Sequence, residues 1–398
     1  MRPLDHVTIL DLSRVLAGPF ASMILAELGA TVIKVEQPGT GDETRSFEPF
    51  VERGDARESA YYFAFNRTKQ SITVNLRSPE GQAVIRDLAR QSDVFIENFP
   101  VGTLQRYGLH FDAIRALNDR IVYLSCTGFG QTGPYAHKKG YDTVFQAMGG
   151  MLSLTGERDG GPVKPGLPIA DLTSGLWMAI AILSLLAGRA QSGRGAYVDF
   201  SMIDGQVSLL TLAAARYFAL GEVPARLGTE HPGRVPSATF HCADGAFVHI
   251  TASDQHWLPL CKVLGIEAWG KASAFADNSL RVRNREIVMA GLSAAIAIRA
   301  RDELCAACDA VGVPAGPIRA VDEVLADPHT LARAMVASFE HPRIGAFPCL
   351  AMPFKLDGWE NPVSSYPPVL GEHTERILAE RLGYSSERIA ALREAKAI

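Results

Sequence analysis

The sequence predicts an α/β protein with a Rossmann-like large domain and a smaller α+β domain. Three observations lead to this fold class. Apolar runs of strand length alternate with helix-period segments from residue 7 to residue 126. The pattern changes to short strands and helices after a proline- and glycine-rich stretch at 222–238. The 398 residues also exceed what one core usually organises. The alternation indicates a doubly wound, mostly parallel sheet.

The chain begins with a β-α-β unit. Residues 7–13 predict a buried strand, and residues 18–30 predict an amphipathic helix that Gly29 ends. Residues 31–38 predict a second strand, which Pro38 ends. A crossover of this kind places both strands parallel in one sheet.

Further strands are expected at 70–76, 93–99 and 120–126, with helices at 78–92 and 112–118. Ser78 is the expected N-cap of the first of these helices, because Pro79 and Glu80 suit the turn that follows. Later helices are predicted at 142–152, at about 172–189 and at 203–221, with a strand at 195–202. The most apolar segment, 176–188, is shorter than the ~20 residues of a spanning helix, so we expect a buried helix and no membrane partner.

Composition excludes several classes of function. The net charge of −4 comes from 39 Lys and Arg against 43 Asp and Glu, without a basic run, so nucleic acid is not an expected partner. Cys305 and Cys308 have the spacing of half a zinc site, but no second pair accompanies them, and we expect no metal. The six cysteines suggest no disulfide framework, and the N-terminus has no apolar signal-peptide core, so we expect a cytoplasmic protein.

The stretch Gly128-x-Gly130-x-x-Gly133 has the spacing of a dinucleotide-binding loop and follows a predicted strand. Its context does not fit NAD. Pro134 and polar residues separate it from the next helix, and no acidic residue ends a strand about 20 residues later. We therefore expect these glycines to shape a turn.

Eight segments together resemble the class III CoA-transferases, the family that includes formyl-CoA transferase and α-methylacyl-CoA racemase. They read LDLSRVLAGPFASMILAELGATVIKVEQPGTGD, FNRTKQSITVNL, DVFIENFPVGTLQRYGL, GFGQTGPYAHKKGYD, PIADLTSG, SGRGAYVDFSM, GVPAGPI and LGEHTE. The resemblance implies a large CoA-binding domain in residues 1–205, a linker helix at 206–224, a small domain at 225–330 and a return to the large domain at 331–398. It also implies an interlocked homodimer.

Asp171, in PIADLTSG, matches the catalytic carboxylate of the family. The resemblance implies that it carries a covalent aspartyl intermediate, that a CoA thioester is a substrate and that no cofactor is permanently bound. By position alone, Asp171 is equally a helix N-cap. We expect the helix N-terminus to favour its carboxylate form and to offer free amides to an oxyanion. Labile intermediates also predict a mobile loop over the site, with 155–168 and 222–238 as candidates.

The resemblance also implies where CoA binds. The matching positions are Val15, Leu16, Ala17, Val74, Asn75, Leu76, Arg77, Asn98, Phe99, Pro100, Arg106, Lys139, Gly140, Tyr141 and Asp142, with Asp142, Tyr141 and Leu16 as auxiliary residues of the active site. Arg77, Arg106 and Lys139 suit phosphates, although each alone is also typical of solvated surface charge. Gln37 and Leu16 stand where formyl-CoA transferase has an arginine and a glutamine, so these contacts do not transfer directly.

The predicted reaction is CoA transfer to a short carboxylic acid. Tyr141 replaces the histidine of the racemase, and tyrosine titrates near ~10, which disfavours proton shuttling. The chain looks most like the succinyl-CoA:glutarate members, so the expected acceptor is a dicarboxylate. His231 and Arg234 are the predicted acceptor-binding residues, or else ordinary surface residues. The alternatives are a 2-methylacyl-CoA racemase, a formyl-CoA/oxalate-type transferase, and a non-enzymatic acyl-CoA-binding protein in which Asp171 is only a cap.

Overall fold

The computed structural model describes residues 2–358 and 363–398, which pack as two compact units. The first unit comprises 1–151, 165–214 and 328–398, and the second comprises 152–164 and 215–327. The segment 152–164 thus packs with the second unit, although it lies inside the predicted large-domain range 1–205.

The first unit is built on a six-stranded parallel sheet. Up to residue 201 the strands are β1 (Thr8–Asp11), β2 (Thr31–Glu36), β3 (Phe50–Arg53), β4 (Ala56–Ser59), β5 (Gln70–Thr73), β6 (Val94–Glu97), β7 (Val122–Thr127) and β8 (Tyr197–Ser201). The sheet order is β5-β2-β1-β6-β7-β8, and β3 and β4 form a separate antiparallel hairpin. This is the doubly wound order, so the predicted fold class is confirmed.

The helices of this part follow the predicted alternation. They are α1 (Ala17–Glu27), α2 (Ala60–Asn66), α3 (Pro79–Arg90), α4 (Thr103–Arg106), α5 (Phe111–Arg115), α6 (Asp142–Met148), α7 (Met151–Leu154), α8 (Ile169–Ser192), α9 (Met202–Ser208) and α10 (Thr211–Leu220). The Ser78 cap is confirmed, because its hydroxyl accepts a hydrogen bond from the Gly81 amide at 2.9 Å. The single helix predicted at 203–221 is wrong. Leu209 and Leu210 bond back only three residues, which tightens and ends α9.

The second unit has its own small sheet and core. Its strands β9 (Ser237–His241), β10 (Phe247–Thr251) and β11 (Ala315–Pro317) pair antiparallel in the order β11-β10-β9. Its helices are α11 (Asp254–Leu264), α12 (Glu267–Gly270), α13 (Asn278–Arg283), α14 (Arg285–Ile296), α15 (Arg301–Asp309) and α16 (Val321–Ala326). Trp257, Leu292 and Cys308 lie in one buried apolar cluster of this unit.

The last described segments belong to the first unit. They form α17 (Pro328–Ala332), the hairpin β12 (Val336–His341) and β13 (Gly345–Leu350), α18 (Thr374–Glu380) and α19 (Ser386–Glu394). Ile377 of α18 and Leu392 of α19 pack in the same buried cluster as Leu10 and Phe95 of the sheet and Val84 of α3.

Helices α1 and α8 cover the opposite face of the sheet. Ala21, Ile24 and Met178 share a buried cluster with Ile9 and Leu124. The two helices approach closely at Gly175, where an added Cβ would lie 2.7 Å from the Phe20 ring and 3.0 Å from the Ala17 carbonyl oxygen. This contact brings the start of α8 next to the start of α1.

Helix α8 is not the buried helix that its composition predicts. Leu176, Trp177 and Ile180 are 49%, 43% and 52% exposed in the single chain. One face of α8 packs on the sheet and α1, while these apolar side chains lie on another face. Among the described residues, α8 is the one helix long and apolar enough to cross a membrane. The core helices of soluble proteins also meet these criteria of length and composition.

Candidate active site

Two turns meet where the strand order reverses, between β1 and β6. In doubly wound sheets this crevice, at the carboxyl ends of the strands, is the usual ligand site. The Arg14 amide donates to Asn98 Oδ1 at 2.9 Å, and Asn98 Nδ2 donates to the Arg14 carbonyl at 2.8 Å. The turn after β1 is thereby fixed to the turn after β6.

Val15 gives the first turn an unusual backbone. Its φ of 70° lies in the left-handed region, which is unfavourable for a β-branched residue. The Val15 amide donates to the Asp42 carboxylate, at 3.3 and 3.4 Å to the two oxygens. Strain of this kind persists only where surrounding contacts over-determine the conformation.

Buried ion pairs lie directly beneath this turn. Lys34 Nζ is 2.8 Å from Asp42 Oδ2 and donates to the Ser13 carbonyl at 3.1 Å, and both charged side chains are fully buried. Burial opposes both charges. The carboxylates of Asp42, Asp11 and Glu36 together nevertheless raise the pKa of Lys34, and Lys34 with the hydrogen bonds from Thr44 lowers the pKa of Asp42. The pair is ionised at neutral pH and contacts the turn through the Val15 amide and the Ser13 carbonyl.

The glycines of the dinucleotide-like motif serve a packing role. An added Cβ would lie 2.5 Å from the Phe145 ring at Gly128 and 2.6 Å from it at Gly140. Gly130 and Gly133 have φ values of 83° and 93°, which make the turn between them accessible mainly to glycine. Phe145 therefore fits between two backbone segments that converge on the start of α6.

Asp142 and Asp171 form an acidic pair at the start of α8. Asp142 Oδ1 accepts hydrogen bonds from the amides of Ala170 at 2.8 Å and Asp171 at 3.2 Å, and Gln146 Nε2 donates to Asp142 Oδ2 at 2.5 Å. The amides that we expected to be free for an oxyanion are therefore occupied by Asp142. That expectation is wrong at these two positions.

The protonation of Asp171 also differs from expectation. Burial, and then the negative charge of Asp142, raise the pKa of Asp171 to about 7. The sequence predicts that the helix N-terminus favours the carboxylate form of Asp171, but the nearest amides donate to Asp142 instead. Asp171 is thus a partly buried carboxyl group that titrates near neutral pH, a property common at catalytic sites.

Three cavities with shared lining residues form one groove that begins at Asp171. The first, of about 170 Å³, is lined by Asp171, Asp142 and Ala17, among others. The second, of about 380 Å³, adds Lys138, Lys139 and Pro100 and shares Asn98 and Tyr141 with the first. The third, of about 920 Å³, is lined by Val74, Leu76 and Arg77 and shares Phe99 and Pro100 with the second. The groove has room for an elongated ligand between Asp171 and Arg77.

A model of CoA-transferase family III matches residues 4–374. The chain belongs to this family of CoA-transferases. The transferase is 38% identical over 393 residues to "Succinyl-CoA:glutarate CoA-transferase" of Mus musculus, which covers 98% of this chain and 89% of the relative. It is 39% identical over 381 residues to "Succinate--glutarate CoA-transferase" of Agrobacterium fabrum, with 95% of each covered. A crystal structure of a CAIB/BAIF family protein from Brucella suis matches with a TM-score of 0.85 and 41% identity, over 95% of this chain and 99% of that one.

The groove of the transferase contains most of the predicted CoA-binding positions. Those that line it are Val15, Ala17, Val74, Leu76, Arg77, Asn98, Phe99, Pro100, Lys139, Gly140, Tyr141 and Asp142. Gln37 lines the third cavity as well. The structure thus brings together four separate sequence segments that the family resemblance had connected.

Three predicted positions lie outside these cavities. Leu16 is 1% exposed and packs inside the unit. Asn75 Nδ2 donates to the Lys396 carbonyl, and Asn75 Oδ1 accepts from the Arg77 amide at 3.1 Å, so Asn75 shapes the loop that carries Arg77. Arg106 is exposed, and its guanidinium donates to Thr103 Oγ1 at 3.4 Å.

His231 and Arg234 lie in the second unit, on a loop whose backbone accepts several side-chain hydrogen bonds. Arg285 donates to the carbonyls of His231 and Pro232, each at 2.9 Å, and Asn278 Nδ2 donates to the Gly233 carbonyl at 2.9 Å. Arg234 itself is exposed. Its side chain is therefore presented to solvent from a braced backbone.

The two candidate lid segments contact each other within the second unit. The Gly228 amide donates to the Gly156 carbonyl at 2.9 Å, and Arg226 donates to the Gly160 carbonyl at 2.8 Å. The segments 155–164 and 222–230 are thus joined by direct hydrogen bonds. Their covering of Asp171 during turnover stays a prediction.

Sequence reasoning missed two side chains near the groove. Arg14 lines all three cavities, and its position directly before the predicted turn residues was the available signal. Burial raises the pKa of Tyr61, and the negative charges of Asp171 and Asp142 raise it further. No sequence pattern joins Tyr61 to them. Across residues 2–358 and 363–398, no cluster of three His, Cys, Asp or Glu side chains is arranged to hold a metal.

Proposed function

We propose that this protein moves CoA from succinyl-CoA to a short dicarboxylic acid through a covalent intermediate on Asp171. The observation that carries the proposal is the position of the Asp171 carboxyl group at one end of a groove that continues to Arg77. The names of the two relatives, both of which join succinate and glutarate, support the choice of substrates.

The first half of the proposed reaction removes CoA from the donor. An Asp171 carboxylate oxygen attacks the thioester carbonyl carbon, the carbon–sulfur bond breaks, and CoA leaves as a thiolate. A mixed anhydride between the donor acid and Asp171 remains. The thiolate then attacks the Asp171 carbonyl carbon, which expels the donor acid as a carboxylate and leaves an aspartyl-CoA thioester.

The second half is the reverse sequence with the acceptor. The acceptor carboxylate attacks the aspartyl carbonyl carbon and expels the CoA thiolate, which gives a new mixed anhydride. The thiolate attacks the acceptor's carbonyl carbon, and the Asp171 carboxylate leaves. No proton or external energy source is consumed, because each step exchanges one carboxylate for one thiolate.

Asp171 must be ionised to attack. With a pKa of about 7, a large fraction of the group carries its proton at neutral pH in the unliganded protein. The same burial that raises the pKa leaves the carboxylate poorly solvated and therefore reactive once it forms. Asp142, which accepts the Asp171 amide, fixes the backbone from which the nucleophile projects.

The acceptor's second carboxylate needs a group outside the reacting atoms. Arg234 fits this role chemically, because a guanidinium binds a carboxylate through two parallel hydrogen bonds. The braced loop of Arg234 and His231 limits the entropy lost on binding. We therefore propose that His231 and Arg234 bind the acceptor and that the residues of the groove bind CoA.

A homodimer is part of the proposal, and the exposed apolar face of α8 supports it. Leu176, Trp177 and Ile180 form a patch that a second copy of the chain would cover. Size-exclusion chromatography with light scattering should give a dimer, and Trp177→Asp should weaken it. A monomeric wild-type protein that binds lipid vesicles through this helix would reject the dimer and the cytoplasmic location together.

The central test combines substrates with trapping of the intermediate. Purified protein is incubated with succinyl-CoA and a panel of carboxylates, and products are read by mass spectrometry. Glutarate should yield glutaryl-CoA, and hydroxylamine during turnover should mark Asp171. Asp171→Asn should abolish both results. Glu80→Gln, a matched exposed acid in the first turn of α3, should change neither.

Several outcomes contradict the proposal. Wild-type transfer by the Asp171→Asn variant would reject the covalent mechanism. A clear preference for oxalate over glutarate would move the protein to the oxalate-type transferases. Rapid deuterium exchange at carbon 2 of a chiral 2-methylacyl-CoA in heavy water would favour the racemase despite Tyr141.

A further inference from the structure

Arg14 lies at the junction of the three cavities that make up the groove, and it lines each of them. Its guanidinium carbon is 5.0 Å from the centre of the Phe99 ring, and Phe99 lines both the second cavity and the third. A ligand that extends from Asp171 to Arg77 must pass this cation.

The backbone of Arg14 is fixed on both sides. Its amide and carbonyl are bonded to the Asn98 side chain, and the next residue, Val15, is held in a left-handed conformation by the buried Asp42. The guanidinium is exposed and, within the described residues, forms no ion pair with an Asp or Glu side chain. The backbone at Arg14 is therefore fixed, and the exposed guanidinium has donors available to a ligand.

We propose that Arg14 binds the pyrophosphate of CoA. The reactive thioester must lie at Asp171, and Arg77 lines the far cavity as a cation suited to the ribose phosphate. The pyrophosphate is the charged group between these two parts of CoA, and among the described residues Arg14 is the cation that lines both of these cavities. A planar guanidinium can donate two parallel hydrogen bonds to phosphate oxygens, and that of Arg14 lies beside the Phe99 ring.

The side chains around Arg14 include both basic residues and an acidic one, so they would neutralise a bound pyrophosphate only in part. Lys138, Lys139 and His137 line the second cavity, whereas the exposed Glu43 lines both the second and the third. Glu43 is an unfavourable neighbour for a pyrophosphate. It makes the contribution of Arg14 larger and supplies a second variant that acts in the opposite direction.

The test measures equilibrium binding by titration calorimetry, so it does not depend on which acid accepts CoA. The ligands are free CoA, dephospho-CoA, which lacks the ribose phosphate, and pantetheine, which lacks all phosphates. Arg14→Gln should weaken CoA and dephospho-CoA by about tenfold and leave pantetheine unchanged. Arg14→Lys should fall between, because it keeps the charge but not the planar geometry. Glu43→Gln should tighten both phosphorylated ligands.

Arg115→Gln is the matched control, because Arg115 is also an exposed arginine beside a phenylalanine ring, at 5.7 Å from Phe111, and lines none of the three cavities. It should change no binding constant. Equal losses for pantetheine and CoA would mean that Arg14 shapes the turn and does not contact phosphate, which overturns the proposal. Unchanged binding of all three ligands by Arg14→Gln would overturn it as well.

Discussion

Replacing Asp171 by Asn should abolish transfer and at the same time stabilise the protein at alkaline pH. The pKa of Asp171 is raised from 3.8 to about 7 by burial and by Asp142. The folded state therefore holds the proton more tightly than the unfolded chain does. The stability from this group is fully present below pH 3.8 and is lost as the pH rises through about 7.

The size of the effect follows from the same values. A pKa rise of about 3 units, at about 1.36 kcal/mol per unit, means that wild type has lost about 4 kcal/mol once the pH exceeds about 7. Of this loss, about 2–3 kcal/mol falls between pH 5 and pH 8. Asn cannot ionise, so the variant keeps this amount, and its advantage in free energy of unfolding should grow with pH.

The assay is urea unfolding of both proteins at pH 5, 6, 7 and 8, followed by tryptophan fluorescence. The measured quantity is the difference in free energy of unfolding between variant and wild type at each pH, which cancels the titration of all shared groups. Glu80→Gln serves as the control for losing an exposed acid. A difference that stays constant from pH 5 to pH 8 would refute the raised pKa and the account of nucleophile activation built on it.

Three other variants test separate parts of the structure. Asp142→Asn should move the rising limb of the pH–rate profile to lower pH, because it removes a like charge beside Asp171 while keeping an acceptor for the amides; an unmoved limb would contradict this. Gly140→Ala should lower the free energy of unfolding by about 1–3 kcal/mol, because the added Cβ would lie 2.6 Å from the Phe145 ring. Gly166→Ala is the control, because nothing lies within 4 Å of a Cβ added there. Arg234→Ala should reduce the preference for glutarate over butyrate by about ten- to hundredfold; an unchanged preference would reject the acceptor assignment.

The sequence predicted the elements of the sheet because their periodicity is local. The β1–α1–β2 unit and the Ser78 cap of α3 follow from spacing and capping residues, and both are present. The β3–β4 hairpin was missed, since only Ser59 and Glu58 of its residues are buried and the apolar alternation is weak. The break after α9 has no helix-breaking residue to mark it.

Sequence motifs predicted most residues of the candidate site but not the interactions between them. Asp171 and the lining residues of the groove came from family resemblance, but the effect of Asp142 on Asp171 did not. The two acids are separated by 29 residues and meet only because α6 packs against the start of α8. The exposed face of α8 could not be recognised either, because an apolar helix has the same composition whether its own chain or a second copy covers it.

The turn at Arg14 and Val15 explains why a strained residue and buried charges occur together. A left-handed, β-branched residue costs about 1–2 kcal/mol, so the turn would relax without a compensating contact. Asp42 supplies that contact through the Val15 amide, and Lys34 makes the buried carboxylate tolerable. Removing Lys34 alone would leave Asp42 as an unpaired buried charge, so the pair acts as one support. The conformation that it maintains leaves Leu16 buried and Arg14 lining the groove, so the buried charges fix the backbone of the residue to which we assign the pyrophosphate.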